Sequence, residues 1–201
     1  MKLKVFPKME NKKPILSILI CTIYGREHFY NRLQNELIRQ IKEYNLLGKV
    51  QILFSKDKRA EHTIGWKRNL LLQNSDGDYT MFVDDDDMLC DDALFLIIKS
   101  IKENNPDVLA LEGFITTDGH NKKTFIHSLE YNEWFEKDGI YFRPPNHLNP
   151  MRTSIAKQFK FPDISMGEDR DWSMQICKSG LLKTESSIGK LYYFYEYISI
   201  K

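Results

Sequence analysis

A chain of 201 residues with 42% hydrophobic and 28% charged residues is apolar enough to bury a core and too apolar to be a disordered polymer. Its 29 Lys plus Arg and 28 Asp plus Glu leave a net charge of +1, which excludes a global field for steering nucleic acid or an anionic membrane, so any charge-based function is local. Three separated cysteines, Cys21, Cys90 and Cys177, exclude a disulfide framework and a cysteine-ligated zinc site, and fit a reducing, cytosolic setting.

The N-terminal lysines Lys2, Lys4, Lys8, Lys12 and Lys13 are followed by no apolar stretch long enough for a signal peptide or a membrane span. They read as a solvated leader before the first strand, with peripheral contact to acidic lipid as the alternative. Ile15 to Cys21 predicts a buried strand running into a loop at Thr22, Tyr24 and Gly25. From Glu27 to Leu47, Phe29, Leu33, Leu37 and Ile41 recur every four residues, predicting an amphipathic helix stopped by Gly48.

Val50 to Phe54 predicts a second strand, and Ser55 to Thr63 a loop without periodicity. Trp66, Leu70 and Gln73 fall on a short helix ended by Asp76 and Gly77, before a third strand from Tyr79 to Val83. Asp84, Asp85, Asp86 and Asp87 follow that strand directly. Asp91 and Asp92 then cap a helix whose core face is Leu94, Phe95, Ile98 and Ile101, ending near Asn104 and Pro106, and Val108 to Leu111 makes a fourth strand. Strands alternating with helices predict an α/β fold with a mostly parallel sheet, whose ligands gather at the carboxyl ends of strands. Thr22 and the aspartate run both lie there.

The second half is less regular. Gly113 to Gly119 reads as turn-like, Tyr131 to Phe142 as an aromatic segment, and Pro144 and Pro145 precede His147. These are expected to be irregular, substrate-facing elements, with Trp134 and Phe135 exposed as a contact surface. Asp163 to Asp169 reads as a loop, Arg170 to Lys178 as a helix closed by Gly180, and Leu191 to Tyr197 as a last aromatic strand. Without repeats, low-complexity tracts or linkers, one domain over 1–201 is expected.

Four consecutive aspartates repel one another unless a cation or a helix N-terminus compensates them. A divalent metal suits their hard oxygen ligands, Mg2+ or Mn2+ with one or two carboxylates plus substrate phosphates; a solvated acidic turn capping the next helix is the equal alternative. Glu168 and Asp169 form a second acidic pair at the start of a helix. Asp169 is either an N-cap or, with its pKa pulled upward by its neighbour, a general base. Lys67, Arg68 and Asn69 stand where cations reach bound phosphates, or are merely solvated surface.

Read in order, Ser17 to Thr22, Lys67 to Leu70, Asp78 to Asp87 and Gly167 to Trp172 resemble the family 2 glycosyltransferases of the GT-A fold, a Rossmann-like α/β architecture. The resemblance runs from about Pro14 to Asp107 and resumes from about His147 to Gly180. Its most specific part is the Gly-Asp-Tyr strand that ends in Asp-x-Asp-Asp. It implies a nucleotide-sugar-binding half over 14–112 and an acceptor-binding and catalytic-base half over 113–201. It further implies that Asp84 and Asp85 lie toward the ribose, that Asp86 holds the metal, and that Thr22 and Arg26 line the nucleotide pocket. Asp57 would face the base, and Lys67 and Arg68 the phosphates. Asp169 matches the family's catalytic base and Glu168 its tuning neighbour, in an inverting, metal-dependent transfer from a UDP-sugar to a carbohydrate acceptor hydroxyl. Many members add a histidine near the C-terminus as a metal ligand; the strand Tyr192 to Tyr197 has none, and His147 is left outside the metal set.

Other classes fit the sequence less well. A GT-A-shaped domain that binds a nucleotide or partner without turnover is opposed by retention of both acidic constellations. A sugar-phosphate nucleotidylyltransferase needs a Gly-rich, Arg-containing loop after the first strand, which Thr22-Ile23-Tyr24-Gly25-Arg26 is not. A nucleic-acid module needs a basic face that this composition does not suggest.

Overall fold

Eight successive uncharged residues from Leu16 to Ile23 form a strand that is buried on both faces and therefore lies inside a sheet. The structure, a computed structural model, describes residues 2–6, 13–59 and 61–197, the first segment as backbone alone. In chain order come β1 (Lys2–Phe6), β2 (Leu16–Ile23), α1 (Glu27–Glu43), β3 (Val50–Asp57), α2 (Ile64–Gln73), β4 (Tyr79–Phe82), β5 (Met88–Leu89), α3 (Ala93–Asn104) and β6 (Val108–Leu109). They are followed by β7 (Leu111–Thr117), β8 (His120–His127), β9 (Phe135–Lys137), β10 (Ile140–Arg143), β11 (Met151–Arg152), α4 (Thr153–Ala156), α5 (Glu168–Ser179), β12 (Glu185–Ser186) and β13 (Tyr193–Tyr197).

The central sheet has the order β1-β3-β2-β4-β11-β6-β12. Its middle is parallel as the alternation predicts, with β2 flanked by β3 and β4. Antiparallel pairs enter outside it: β1 runs antiparallel on β3 and β11 lies antiparallel between β4 and β6, while the edge strand β12 is parallel to β6. The sheet is thus mixed, because β11 is supplied from far along the chain rather than by a strand-helix-strand crossover. The expected solvated leader is in part strand β1, which contains Lys2 and Lys4; Lys8 and Lys12 lie outside the described residues.

Alternation along β2 divides the core. Leu16, Ile18 and Ile20 pack against Tyr30, Leu33, Leu37 and Ile41 of α1 and Leu94, Ile97 and Ile98 of α3. On the other face, Leu19 packs with Leu71 and Leu72 of α2 and with Trp172 and Ile176 of α5. The result is a three-layer α/β/α arrangement. No helix among the described residues is long and apolar enough to cross a membrane.

Several local expectations shift for identifiable reasons. In the first turn of α1 Tyr30 is buried, while Phe29 sits half-buried beneath the Arg26 guanidinium, and the helix ends at Glu43, ahead of Asn45 in the left-handed region (φ 52°). Phe95 of α3 is 40% exposed and Ile97 takes its place in the core. Neither Asp91 nor Asp92 caps that helix by a side-chain bond; the buried amide of Gln40 accepts from the Leu94 N–H instead.

The largest departure concerns Gly113 to Gly119, where a strand replaces the expected turn. β7 pairs antiparallel with β8 and parallel with β13 in a second sheet, ordered β5-β13-β7-β8-β10-β9. Gly113 is there because the chains touch: a Cβ on it would lie 2.3 Å from the Tyr193 carbonyl oxygen and 2.5 Å from Phe125 Cζ. The aromatic segment likewise folds into a hairpin, in which Phe135 is 38% exposed but Trp134 is half-buried under Arg143.

Gly113→Ala is therefore expected to push β7 away from β13. The overpacking should cost about 1–3 kcal/mol, and differential scanning calorimetry should show a thermal midpoint lower by roughly 3–10 °C. An unchanged midpoint would refute the close-contact explanation.

Candidate active site

Four like charges in a row are tolerable because the turn after β4 sends them in different directions. The Asp87 N–H donates to the Asp84 carbonyl at 3.0 Å, closing a turn over the four aspartates. Asp85, only 4% exposed, faces back to β2. It accepts from Thr22 Oγ1 at 2.6 Å and from Arg26 Nε at 3.0 Å and Nη2 at 2.7 Å. Arg26 Nη2 also lies 2.7 Å from Asp86 Oδ2, and hydrogen bonding to Asp85 pushes the guanidinium pKa upward. Asp87, expected to do little, is fully buried and accepts from the Tyr193 hydroxyl at 2.6 Å and from the Glu196 N–H at 3.1 Å. Burial pushes its carboxyl well above the usual range, and the Asp84 charge adds to the shift.

Asp84 points to α2. That helix buries Gly65, Lys67, Arg68, Leu71 and Leu72, so its cations face inward while Trp66 and Leu70 are half-buried. Arg68 Nη2 donates to Asp84 Oδ1 at 3.2 Å. Arg68 Nη1 lies 2.9 Å from Glu168 Oε1, an ionic contact without an aligned hydrogen bond. Burial works against the Arg68 charge, but Asp84 leads the neighbouring acids that hold it. Burial also raises the Glu168 carboxyl, with Arg68 opposing. Lys67 Nζ is taken by Asp57 Oδ1 at 3.0 Å in a fully buried pair. Burial pushes the Cys21 thiol up to about 11, which leaves it without nucleophilic character near neutrality.

Helix α5 starts at Gly167, whose φ of 82° is open to glycine at little cost. Asp169 is therefore not the N-cap. It lies in the first turn with Glu168 and Asp171, where the helix dipole favours acids. Stacking of Trp172 on Phe161, 4.6 Å between ring centres, and a bond from Ser173 Oγ to the Pro145 carbonyl at 2.9 Å fix the helix.

These elements enclose a cavity of about 350 Å³. Arg68, Asp84, Glu168 and Asp169 line it together with residues the sequence reading passed over, notably Arg143, Asn146, Tyr195 and Tyr197. Thr22, Arg26, Asp57, Lys67, Asp85 and Asp86 are not part of its lining. His147, left outside the metal set, stands in the wall, where the Phe82 N–H donates to its carbonyl at 2.8 Å. It is 5% exposed, neither ring nitrogen has a hydrogen-bond partner, and Nδ1 lies 4.0 Å from Asp169 Oδ2. Burial holds it neutral, with the Arg68 charge adding to the effect. One signal in the sequence points to this wall: Tyr193, Tyr195 and Tyr197 alternate along one strand and so share a face.

The donor chemistry around the turn fits a hard divalent cation. Asp85 and Asp86 pair with Arg26 and Asp84 and Glu168 with Arg68, so four carboxyl groups meet two cations, and every acidic donor is an oxygen. Asp86, with a side chain 21% exposed, is paired with Arg26 and carries no hydroxyl or backbone donor. Among the described residues, the trio whose ligand atoms converge within 4.8 Å lies elsewhere, at Asp57, Glu61 and His62. Asp57 is already held there by Lys67 and by His62 Nδ1 at 3.1 Å.

A model described as glycosyl transferase family 2 matches residues 21–167, well over half of the chain. No curated protein matches the sequence. Among solved structures, the chain is similar to S. aureus TarS 1-349, with a TM-score of 0.64 at 19% identity over 90% of this chain and 60% of that one. Against the same fragment in complex with UDP-GlcNAc the TM-score is 0.65 at 17% identity, over 92% and 59%. Against the longer S. aureus TarS chain it is 0.60 at 17% identity, over 90% and 36%. The chain thus spans about 60% of the length of the TarS fragment, and at these identities the likeness establishes the fold.

One electrostatic consequence can be measured. His127 is fully buried, with Nδ1 3.2 Å from Asn149 Oδ1, and burial drives its pKa down to about 3. The unfolded chain protonates this residue near pH 6.5 while the native state does not, so stability falls as pH drops below that value. Between about pH 7 and pH 5 the wild type should lose stability relative to His127→Gln, by up to about 1.4 kcal/mol per pH unit. The raised carboxyls act with the opposite sign but cancel in the difference. Parallel urea-denaturation profiles for the two proteins would contradict this.

Proposed function

The chain belongs to glycosyl transferase family 2, and from that premise we propose that it moves a sugar from a nucleoside diphosphate donor, UDP-linked by preference, to a carbohydrate acceptor hydroxyl with inversion. The observation that carries this reading is the Arg68 guanidinium, which lies between Asp84 at the end of β4 and Glu168 at the start of α5 and so gathers both acidic constellations at one cavity. The neighbouring TarS structures with UDP and with UDP-GlcNAc support the choice of nucleotide.

In this reading the chain acts as one domain over 1–201, with residues 14–112 holding the donor and residues 113–201 the acceptor. Thr22 and Arg26 fix Asp85 beside Asp84 for the donor ribose, and the Asp57–Lys67 pair stands on the nucleotide side with Asp57 toward the base. Arg68 faces the diphosphate while pinning Glu168. Asp169 takes the proton from the acceptor hydroxyl as that oxygen attacks the anomeric carbon from the face opposite the leaving group, and a single displacement inverts the centre. Neutral His147 beside it adds no competing positive charge. Asp86 would hold a divalent cation, Mn2+ or Mg2+, which when bound would supply positive charge toward the nucleoside diphosphate leaving group. Three free cysteines support a cytosolic setting, and the lysine-rich start leaves peripheral membrane contact in the same picture.

Calorimetric titration with UDP-GlcNAc, with and without Mn2+, tests the donor half. Asp86→Ala should abolish the metal-dependent gain in affinity; equal donor binding with and without metal in the wild type would count against the metal. Asp169→Asn should retain donor binding and lose transfer by at least about 100-fold. Undiminished turnover in that variant would rule Asp169 out as the base.

A further inference from the structure

Two charges in the cavity remain unmatched once Arg68 has been assigned to Asp84 and Glu168. One is Asp169. The other is Arg143, at the end of β10, whose guanidinium carbon lies 4.3 Å from the centre of the Trp134 ring and 5.7 Å from that of Tyr141. Among the described residues Arg143 has neither a side-chain hydrogen bond nor an ion pair, although it lines the same cavity as Asp169. Burial depresses its pKa, with the Asp169 field opposing, which marks a cation largely removed from water without a contacting counter-charge. Arg143 and Asp169 thus sense each other across the cavity without closing on one another.

The neighbouring wall repeats the pattern. Asn146 Nδ2 is unpartnered at 1% exposure, and both ring nitrogens of His147 are unpartnered at 5%. Opposite them, Ile115, Phe125, Tyr195 and Tyr197 offer apolar faces. The unused Asn146 donor and the donor and acceptor nitrogens of neutral His147, beside aromatic rings, suit an oxygen-rich ring with a flat hydrophobic side, and an unpaired guanidinium suits an anionic substituent on it.

We propose that the cavity carries an acceptor subsite in which Arg143 binds an anionic group, phosphate or carboxylate, on the acceptor sugar. The acceptor then spans the two unmatched charges, with its hydroxyl at Asp169 and its anionic group at Arg143. This rests on the glycosyltransferase reading and adds the acceptor class to it. The rings of Trp134 and Tyr141 hold the guanidinium in place while leaving its N–H edges free to form paired bonds with a planar or tetrahedral anion.

Calorimetry with glucose, glucose 6-phosphate and glucuronate as probes, in the presence of saturating UDP to occupy the nucleotide side, tests the subsite without relying on turnover. At least one charged probe should bind tenfold or more tightly than glucose, and the stronger of the two identifies the anion. Arg143→Gln should reduce that preference to about one, and Arg143→Lys should keep part of it. Equal binding of all three probes by the wild type, no detectable binding of either charged probe, or an undiminished preference in Arg143→Gln would each overturn the subsite. Failure of UDP itself to bind would instead defeat the donor reading, so the two failures are distinguishable.

Discussion

The site depends on one buried guanidinium. Arg68 is 4% exposed and sits between Asp84 at a strand end and Glu168 at a helix start, 84 residues apart in sequence. Withdrawing such a charge from water costs several kcal/mol, which a single carboxylate in ordinary geometry does not restore; two carboxylates from separate elements do better. The same arithmetic works in reverse for the acids. Asp84 and Glu168 are each pushed upward by burial, and each is held down chiefly by Arg68. Neither the turn after β4 nor the start of α5 would keep its charge in place without the other, so the cavity between them is a consequence of electrostatic necessity as much as of packing.

That dependence explains which parts of the molecule could be read from the sequence. β2, β3 and β4, the core faces of α1 and α3, and the order of the first half follow from apolar periodicity, because burial there is apolar burial. Helix α2 inverts the rule. It buries Lys67 and Arg68 and leaves Trp66 and Leu70 half-buried, so its pattern carries almost no amphipathic signal and its inward face could not be recognised without knowing that Asp57, Asp84 and Glu168 wait for those cations. The acidic runs marked the positions of both constellations, and the resemblance implied their roles. It did not supply their partners, since pairings such as Thr22 with Asp85, or Tyr193 with Asp87, join segments more than sixty residues apart.

The second half was harder to read for a different reason. β7 contains Gly113, and β11 and β12 have two residues each, too short for any periodicity to register. Glycine suggested a turn where the real constraint was contact with β13. Asp87 illustrates the same limit at the scale of one side chain: from the sequence it was the spare member of an acidic run, yet it is the residue that ties the turn to the last strand. Through Tyr193 and the Glu196 backbone it joins the central sheet's aspartate turn to the second sheet.

Placed side by side, the two sheets give the cavity walls of opposite character. The central sheet presents strand ends and helix starts, where backbone geometry and fixed ion pairs put charge at defined points; such a wall suits a diphosphate whose shape does not vary among donors. The second sheet presents side chains from strand faces and hairpins: Ile115 from β7, Phe125 from β8, Arg143 from β10 and Tyr195 from β13. None of those side chains takes part in the Arg68 contacts that hold β4 to α5. On the proposed reading the first wall would fix the donor diphosphate, and the second, with the unpaired Arg143, would select the acceptor.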